Sequence, residues 1–183
     1  MISRQAIAIS HPIQGDTRWL GELLPTLDTY FPIILTNHWG WQIDGIRDTF
    51  RNTDYDEIFF LNETMIVKDN KVWSIIFQEF LGHSVTCADK FQMYLAKYLR
   101  KHVENTAFPE VTSRWEDIVF GEDEWNHQYM AADPHYIRLD PMQDVNPDIE
   151  SNFEFKFGRR NMIIENKYFK KWKSAWNINM LVR

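Results

Sequence analysis

The chain has 183 residues, 44% of them hydrophobic and 15% aromatic, with 8 Trp and 13 Phe; this excludes a disordered polypeptide and supplies enough apolar mass for one sizeable core without a second domain. The formal net charge of -6 argues against the broad phosphate-binding surface of a non-specific nucleic-acid protein. A single cysteine, Cys87, rules out an intramolecular disulfide, and the apolar run Ala6–Ile9 is too short for a signal-peptide core or a membrane span, so the expectation is a cytoplasmic protein without membrane contact.

The first half repeats a strand, loop and helix. A β-branched run at Ala6–Ser10 leads through a loop with Pro12 and Gly15 into a helical pattern of Trp19, Leu20, Leu23, Leu24 and Leu27. Ile33–Thr36 forms the next apolar run, followed by a loop through His38 and Gly40 and a helix carrying Ile43, Ile46 and Phe50. Glu57–Leu61 is nearly continuous in apolar residues, as expected of a strand covered on both faces. Val72, Ile75, Ile76 and Phe80 then recur at helical spacing, with Asp69 or Asn70 placed to cap that helix. A fourth unit reads as a strand at Ser84–Ala88 and a helix with Phe91, Tyr94, Leu95, Tyr98 and Leu99, ending near His102. Strands alternating with helices predict an α/β fold with a mostly parallel open sheet and flanking helices.

Beyond Thr106 the regularity stops. Ser113 and Glu116 have the spacing of a capping box opening a helix toward Phe120. The stretch Asp133–Pro147 carries three prolines and reads as an ordered loop or lid, and Asn161–Trp176 reads as a helix. Residues 104–154 hold 13 acidic and 2 basic side chains, whereas 156–183 hold 1 and 8. The expected layout is therefore a single domain over 1–183, with an α/β part in 1–105 and, in 106–183, an irregular acidic segment, a lid and a basic C-terminal helix.

In an open parallel sheet, ligands bind outside the carboxyl ends of the strands. That directs attention to Ser10-His11, Thr36-Asn37-His38, Asn62-Glu63-Thr64 and Asp89. The chain has no G-x-G-x-x-G after its first strand and no P-loop, H-E-x-x-H or G-x-S-x-G motif, which argues against Rossmann dehydrogenases, P-loop enzymes, zincins and α/β-hydrolases. Cys87 falls inside a predicted strand, as a buried inert thiol would, and His127 and His135 read as surface histidines.

The run Tyr55-Asp-Glu-Ile-Phe-Phe-Leu-Asn-Glu-Thr-Met-Ile-Val-Lys-Asp69 resembles the centre of GT-A-type glycosyltransferases, including small phage-encoded ones, in which a hydrophobic strand ends in an acidic motif. The helix ending Leu24-Pro25-Thr26-Leu27, followed by Tyr30-Phe31-Pro32-Ile33-Ile34-Leu35, resembles that family's opening, and Phe91–Tyr98 resembles a helix of the small phage proteins. The likeness covers about the first 105 residues, with a looser echo at Phe157–Met162.

The resemblance implies a nucleotide-diphospho-sugar transferase fold and transfer of a sugar from a nucleotide-sugar donor to an acceptor, DNA or protein being candidates. It also implies a divalent cation, Mn or Mg, held against the donor diphosphate by the acidic motif, because the departing nucleoside diphosphate gathers negative charge. In this chain the family's D-x-D is Asn62-Glu63-Thr64, with one carboxylate. Glu63 is accordingly the candidate metal ligand with Asn62 beside it, while Arg159 and Arg160 could neutralise phosphate without metal. By position, His11, Thr36, Asn37 and Asp44 would lie near the donor nucleoside, although Asp44 also suits a helix cap and the arginine pair a charged surface. For a base that deprotonates the acceptor hydroxyl, Asp133 at the edge of the lid stands first among Glu116, Asp117 and other acids.

Two other functions compete. The segment Tyr168–Lys173 with Trp176 interleaves rings and cations as a nucleic-acid-binding tail would, and it could hold a DNA acceptor. Exposed tryptophans could instead form a protein-interaction surface.

Overall fold

The computed structural model describes residues 3–13, 15–38, 42–87, 95–113, 116–143 and 152–174. Strand β1 (Gln5–Pro12) leads through α1 (Arg18–Leu23) and a 3-10 turn (Leu24–Thr26) to β2 (Ile33–His38), and α2 (Gln42–Asn52) returns the chain to β3 (Glu57–Asn62). β1 lies between the other two and pairs with both in parallel, so that Ile9 is level with Leu35 on one side and Leu61 on the other. Alternate side chains leave a strand on opposite faces. Ile7, Ile9, Phe59 and Leu61 therefore pack with Leu20 and Leu23 of α1, whereas Ala8, Ile58 and Phe60 pack on the other face with Ile43, Ile46 and Phe50 of α2. Burial on both faces explains the unbroken apolar run at the centre of β3.

After β3 the chain turns into β4 (Met65–Val67), then α3 (Val72–Ser74), which widens into a π-helical turn (Ile75–Glu79). Neither expected residue is the cap: the N-cap position is Lys71, without a side-chain cap, while Asp69 accepts the backbone N–H of Lys71 at 3.0 Å and Asn70 accepts the indole N–H of Trp73 at 2.8 Å. β5 (Val85–Cys87) follows as anticipated. The helix expected up to His102 does not form as such. Leu95–Leu99 is strand β6, antiparallel to both β3 and β5, and only α4 (Arg100–Val103) is helical; residues 91–94 lie outside the described residues.

Ser113 and Glu116 do form a capping box, the serine hydroxyl accepting the Glu116 N–H at 3.2 Å while the glutamate carboxylate takes the Thr112 N–H at 2.6 Å. The helix that follows runs well past Phe120, as a π-helical stretch (Asp117–Trp125) and then α5 (Asn126–Ala132). Part of the expected lid is instead β7 (Ile137–Arg138), which pairs in parallel with β5; Pro147 lies outside the described residues. The six-stranded sheet has the order β2-β1-β3-β6-β5-β7, and in it only β6 runs against the others.

The basic C-terminal helix is also corrected. Its residues build β9 (Arg159–Glu165) and β10 (Phe169–Ser174), which with β8 (Phe153–Lys156) and β4 make a second, antiparallel sheet ordered β4-β10-β9-β8. Asn166 sets the reversal, its side-chain oxygen accepting the N–H groups of Tyr168 and Phe169, both at 2.8 Å. The side chains of Ile164 and Phe169 face the same core as Phe59 and Trp73. Among the described residues no helix is long and apolar enough to cross a membrane.

Candidate functional site

β1 is connected to β2 on one side and has β3 on the other, with α1 and α2 on opposite faces. The carboxyl ends of β1 and β3 thus flank the point where strand order reverses, which is where the ligand crevice of an open α/β sheet lies. Two loops meet at it: the one after β1, and the turn Asn62-Glu63-Thr64, which carries the chain from the large sheet to the small one.

Within this crevice Nδ1 of His11 is hydrogen-bonded to Oε2 of Glu63, and both residues are buried. Burial pushes the Glu63 carboxyl above its ordinary value, against the pull of His11. Gly15 packs on the pair so closely that a Cβ there would lie 2.8 Å from the Pro12 carbonyl, 3.0 Å from His11 Cε1 and 3.2 Å from Glu63 Oε1. Asp16 follows, its carboxylate gripped by the Arg18 guanidinium and held near a pKa of about 2, with a smaller contribution from Arg159. Asn62 closes the turn, its Oδ1 accepting the backbone N–H and the hydroxyl of Thr64 at 3.1 and 3.0 Å.

The small sheet reaches this edge through the β8–β9 turn. Phe157 and Gly158 both have positive φ, 53° and 78°; Phe157 packs edge-on against Trp19 at 4.8 Å and lies under the Arg18 guanidinium at 4.7 Å. Arg159 is therefore delivered toward Asp16, whereas the Arg160 guanidinium stacks over Phe153 at 4.1 Å. The two arginines do not act as a pair.

His11, Asn62 and Glu63 are thus brought together, and Arg159 comes near them. Asn37, level with His11 on β2, is exposed at the same edge. Asp44, in the first turn of α2, is ion-paired with Arg47 at 2.6 Å. Thr36 faces α2 instead: its hydroxyl meets that of Thr49 at 2.6 Å, and Thr49 donates to the Gly45 carbonyl, which fastens helix to sheet. Asp89 lies outside the described residues.

Asp133 is not brought to this edge. Its carboxylate accepts the N–H groups of Ser84 and His135, each at 3.2 Å; burial alone would raise its pKa, but these hydrogen bonds outweigh it and the net shift is downward. Through β6, Ser84 is level with Ile58, four residues before Asn62 and two strands away, a separation of roughly 15 Å at ordinary strand spacings. A groove of about 890 Å³ also lies at the amino edge, lined by Ser3, Gln5, Glu57, Phe77, Gly82 and Arg100 among others. Glu57 and Arg100 there are spent on the fold: Glu57 is bound by Ser3, Gly82 and Lys97, and Arg100 donates to the carbonyls of Tyr55, Phe50 and Thr53. The candidate polar residues His11, Asn62 and Glu63 lie at the opposite, carboxyl edge.

Sequence reasoning passed over Gly15 and Asp16 as site residues. A glycine and an acid directly after the first strand of a parallel sheet were the available signal. Cys87 is buried in β5 beside Asn166 and the Asp140 carbonyl, and His127 and His135 are exposed, as expected.

No family model and no curated protein sequence matches the chain. Among solved structures it is similar to A197 from STIV, with a TM-score of 0.46, 11% identity and coverage of 77% of this chain and 86% of that one. It is also similar to a protein from Desulfovibrio desulfuricans G20 described as a "putative nucleotide-diphospho-sugar transferase", with a TM-score of 0.49, 10% identity and coverage of 78% and 82%. At these identities neither neighbour brings an activity to this chain.

Proposed function

We propose that the protein is a glycosyltransferase that takes a sugar from a nucleotide-diphosphate donor bound in the crevice between β1 and β3. The observation that carries this is the His11–Glu63 contact at the strand-order reversal, where the end of β1 and the turn after β3 bring together two buried polar side chains in one hydrogen bond. The resemblance of Tyr55–Asp69 to the acidic strand of GT-A enzymes supplies the chemical class. Arg159 and Arg18 stand at the same edge with positive charge suited to a diphosphate.

The competing nucleic-acid function loses its rings. Tyr168, Phe169 and Trp172 are 8%, 0% and 4% exposed and cannot stack on bases, and Lys170 is paired with Glu154. Tryptophans 19, 73, 125 and 172 are likewise buried, which removes them from any partner surface; Trp39, Trp41, Trp115 and Trp176 lie outside the described residues.

A thermal-shift panel of nucleotide sugars tests the proposal. A donor present at a hundred times its Kd stabilises the fold by about 2.7 kcal/mol, or roughly 5–10 °C for a chain of this length. No shift with any UDP-, GDP-, CDP- or dTDP-linked sugar, with or without Mn²⁺, would reject it.

A further inference from the structure

The resemblance puts a divalent cation on the Asn62-Glu63-Thr64 turn, but the atoms there do not suit one. Asn62 Oδ1 already accepts two hydrogen bonds from Thr64. Glu63 is 8% exposed, its Oε2 is engaged by His11, and its Oε1 faces the close approach of Gly15. Asp16, the other acid whose charge reaches Glu63, is bound by Arg18 through contacts of 2.9, 3.0 and 2.5 Å. Among the described residues no three His, Cys, Asp or Glu side chains are grouped to hold a metal ion, and the one or two carboxylates that could share an ion with a substrate phosphate are those already engaged by His11 and Arg18.

We propose that in this protein the imidazole of His11, rather than a divalent cation, meets the donor diphosphate, with Glu63 as the residue that positions the ring; this rests on the nucleotide-sugar function above. Nδ1 is taken by Glu63, whereas Nε2 has no partner among the described residues, and the His11 side chain is 6% exposed. With Nδ1 turned to the carboxylate, Nε2 is the ring nitrogen left to meet an anion, and an Nε2–H there would donate to it. Gly15 is required for the same arrangement, since any side chain there would push the ring and the carboxylate apart. Arg159, whose charge is felt at Asp16, supplies a positive group at the same edge. The turn thus keeps its place at the diphosphate while its carboxylate acts through histidine.

The test combines calorimetry of UDP and GDP in EDTA and in Mn²⁺, electron paramagnetic resonance of Mn²⁺ in the same mixtures, and ¹⁵N NMR of the histidine side chains. The expected result is affinity equal in EDTA and Mn²⁺ within about twofold, no immobilised Mn²⁺, and a shift of the His11 Nε2 signal on nucleotide addition. His11→Gln should weaken binding in EDTA by about tenfold or more, the worth of one hydrogen bond to a charged group. Glu63→Gln, which retains a hydrogen-bonding partner for Nδ1, should weaken it less than Glu63→Ala. Binding that appears only with Mn²⁺, or a His11 Nε2 signal that does not move, overturns the proposal while leaving the nucleotide-sugar function standing. Absence of binding under both conditions, to nucleotides and nucleotide sugars alike, overturns both. The measurements on the unsubstituted protein decide the matter even where a variant fails to fold.

Discussion

Replacing Lys97 by Met should be among the most damaging single changes in the fold. Lys97 sits in β6 with no exposed surface and donates to Glu57 Oε2 at 2.8 Å and to the carbonyls of Ile76 and Phe80, both at 2.7 Å. Burial pulls its pKa down, and Glu57 pulls it back up, so the pair stands on mutual compensation. Methionine matches the volume but leaves Glu57, 3% exposed, as a buried carboxylate without its cation, and leaves two carbonyls at the end of the π-helical turn without a donor. Breaking a buried pair from one side costs about 3–5 kcal/mol, which for this chain length lowers Tm by roughly 6–20 °C. Removing the charge from the other side as well, with Glu57→Gln, should leave the double variant less damaged than the two single losses summed, by about 1–3 kcal/mol. Urea unfolding followed by tryptophan fluorescence measures all four proteins. A loss below about 1 kcal/mol for Lys97→Met, or strictly additive losses, would refute the assignment of Lys97 to a fully buried strand position.

Further outcomes follow from individual residues. Gly15→Ala forces Pro12, His11 or Glu63 to move, and should cost about 1–3 kcal/mol in stability along with a clear loss of nucleotide affinity by calorimetry. Gly158→Ala meets no atom within 4 Å but sits at φ 78°, so its cost should be backbone strain alone, about 1 kcal/mol by urea unfolding. Arg159→Ala should weaken nucleotide binding more than Arg160→Ala, because the charge of Arg159 is felt at Asp16 while the Arg160 guanidinium stacks over Phe153; equal effects in a side-by-side titration would contradict the division of the two. Glu154 is held below its ordinary 4.5 first by the Trp172 indole N–H and then by Lys170. A carboxylate with a depressed folded pKa contributes stability that is present above the unfolded value and is lost as pH falls through the folded one. Melting temperature should therefore drop below pH 4.5 with a component that Glu154→Gln abolishes.

The parallel half of the fold was legible because its signals are local. Ala6–Ser10, Ile33–Thr36 and Glu57–Leu61 are apolar runs with polar carboxyl ends, and α1, α2 and α3 carry helical periodicity beside them. β6 was hidden by its length and its lysine: over five residues Leu-Ala-Lys-Tyr-Leu fits both periods, and a charge in the middle of a central strand makes sense only once Glu57, opposite Leu99 on the neighbouring strand, accepts it diagonally. Met162, Ile164, Tyr168, Phe169 and Trp172 likewise fit a helical stripe, and the strand hairpin depends on the turn at Asn166 and on β4, about a hundred residues earlier in the chain, accepting β10 as a partner. At the site, the edge and the residues His11, Asn62 and Glu63 followed from strand ends alone. The contact between His11 and Glu63 did not, because it needs the register that sets Ser10 level with Asn62. Asp133 was chosen from its place beside a proline, and its partners Ser84 and His135 hold it at the other end of the sheet.

Hydrogen exchange read by mass spectrometry, with and without a saturating nucleotide sugar, tests the location of the site most directly. The account predicts new protection over His11–Asp16 and Asn62–Thr64, with none over the amino-edge segments that carry Ser3, Gly82 and Arg100. Protection centred on those amino-edge segments, with the β1 and β3 carboxyl ends unchanged, would place the ligand in the opposite groove and contradict the account.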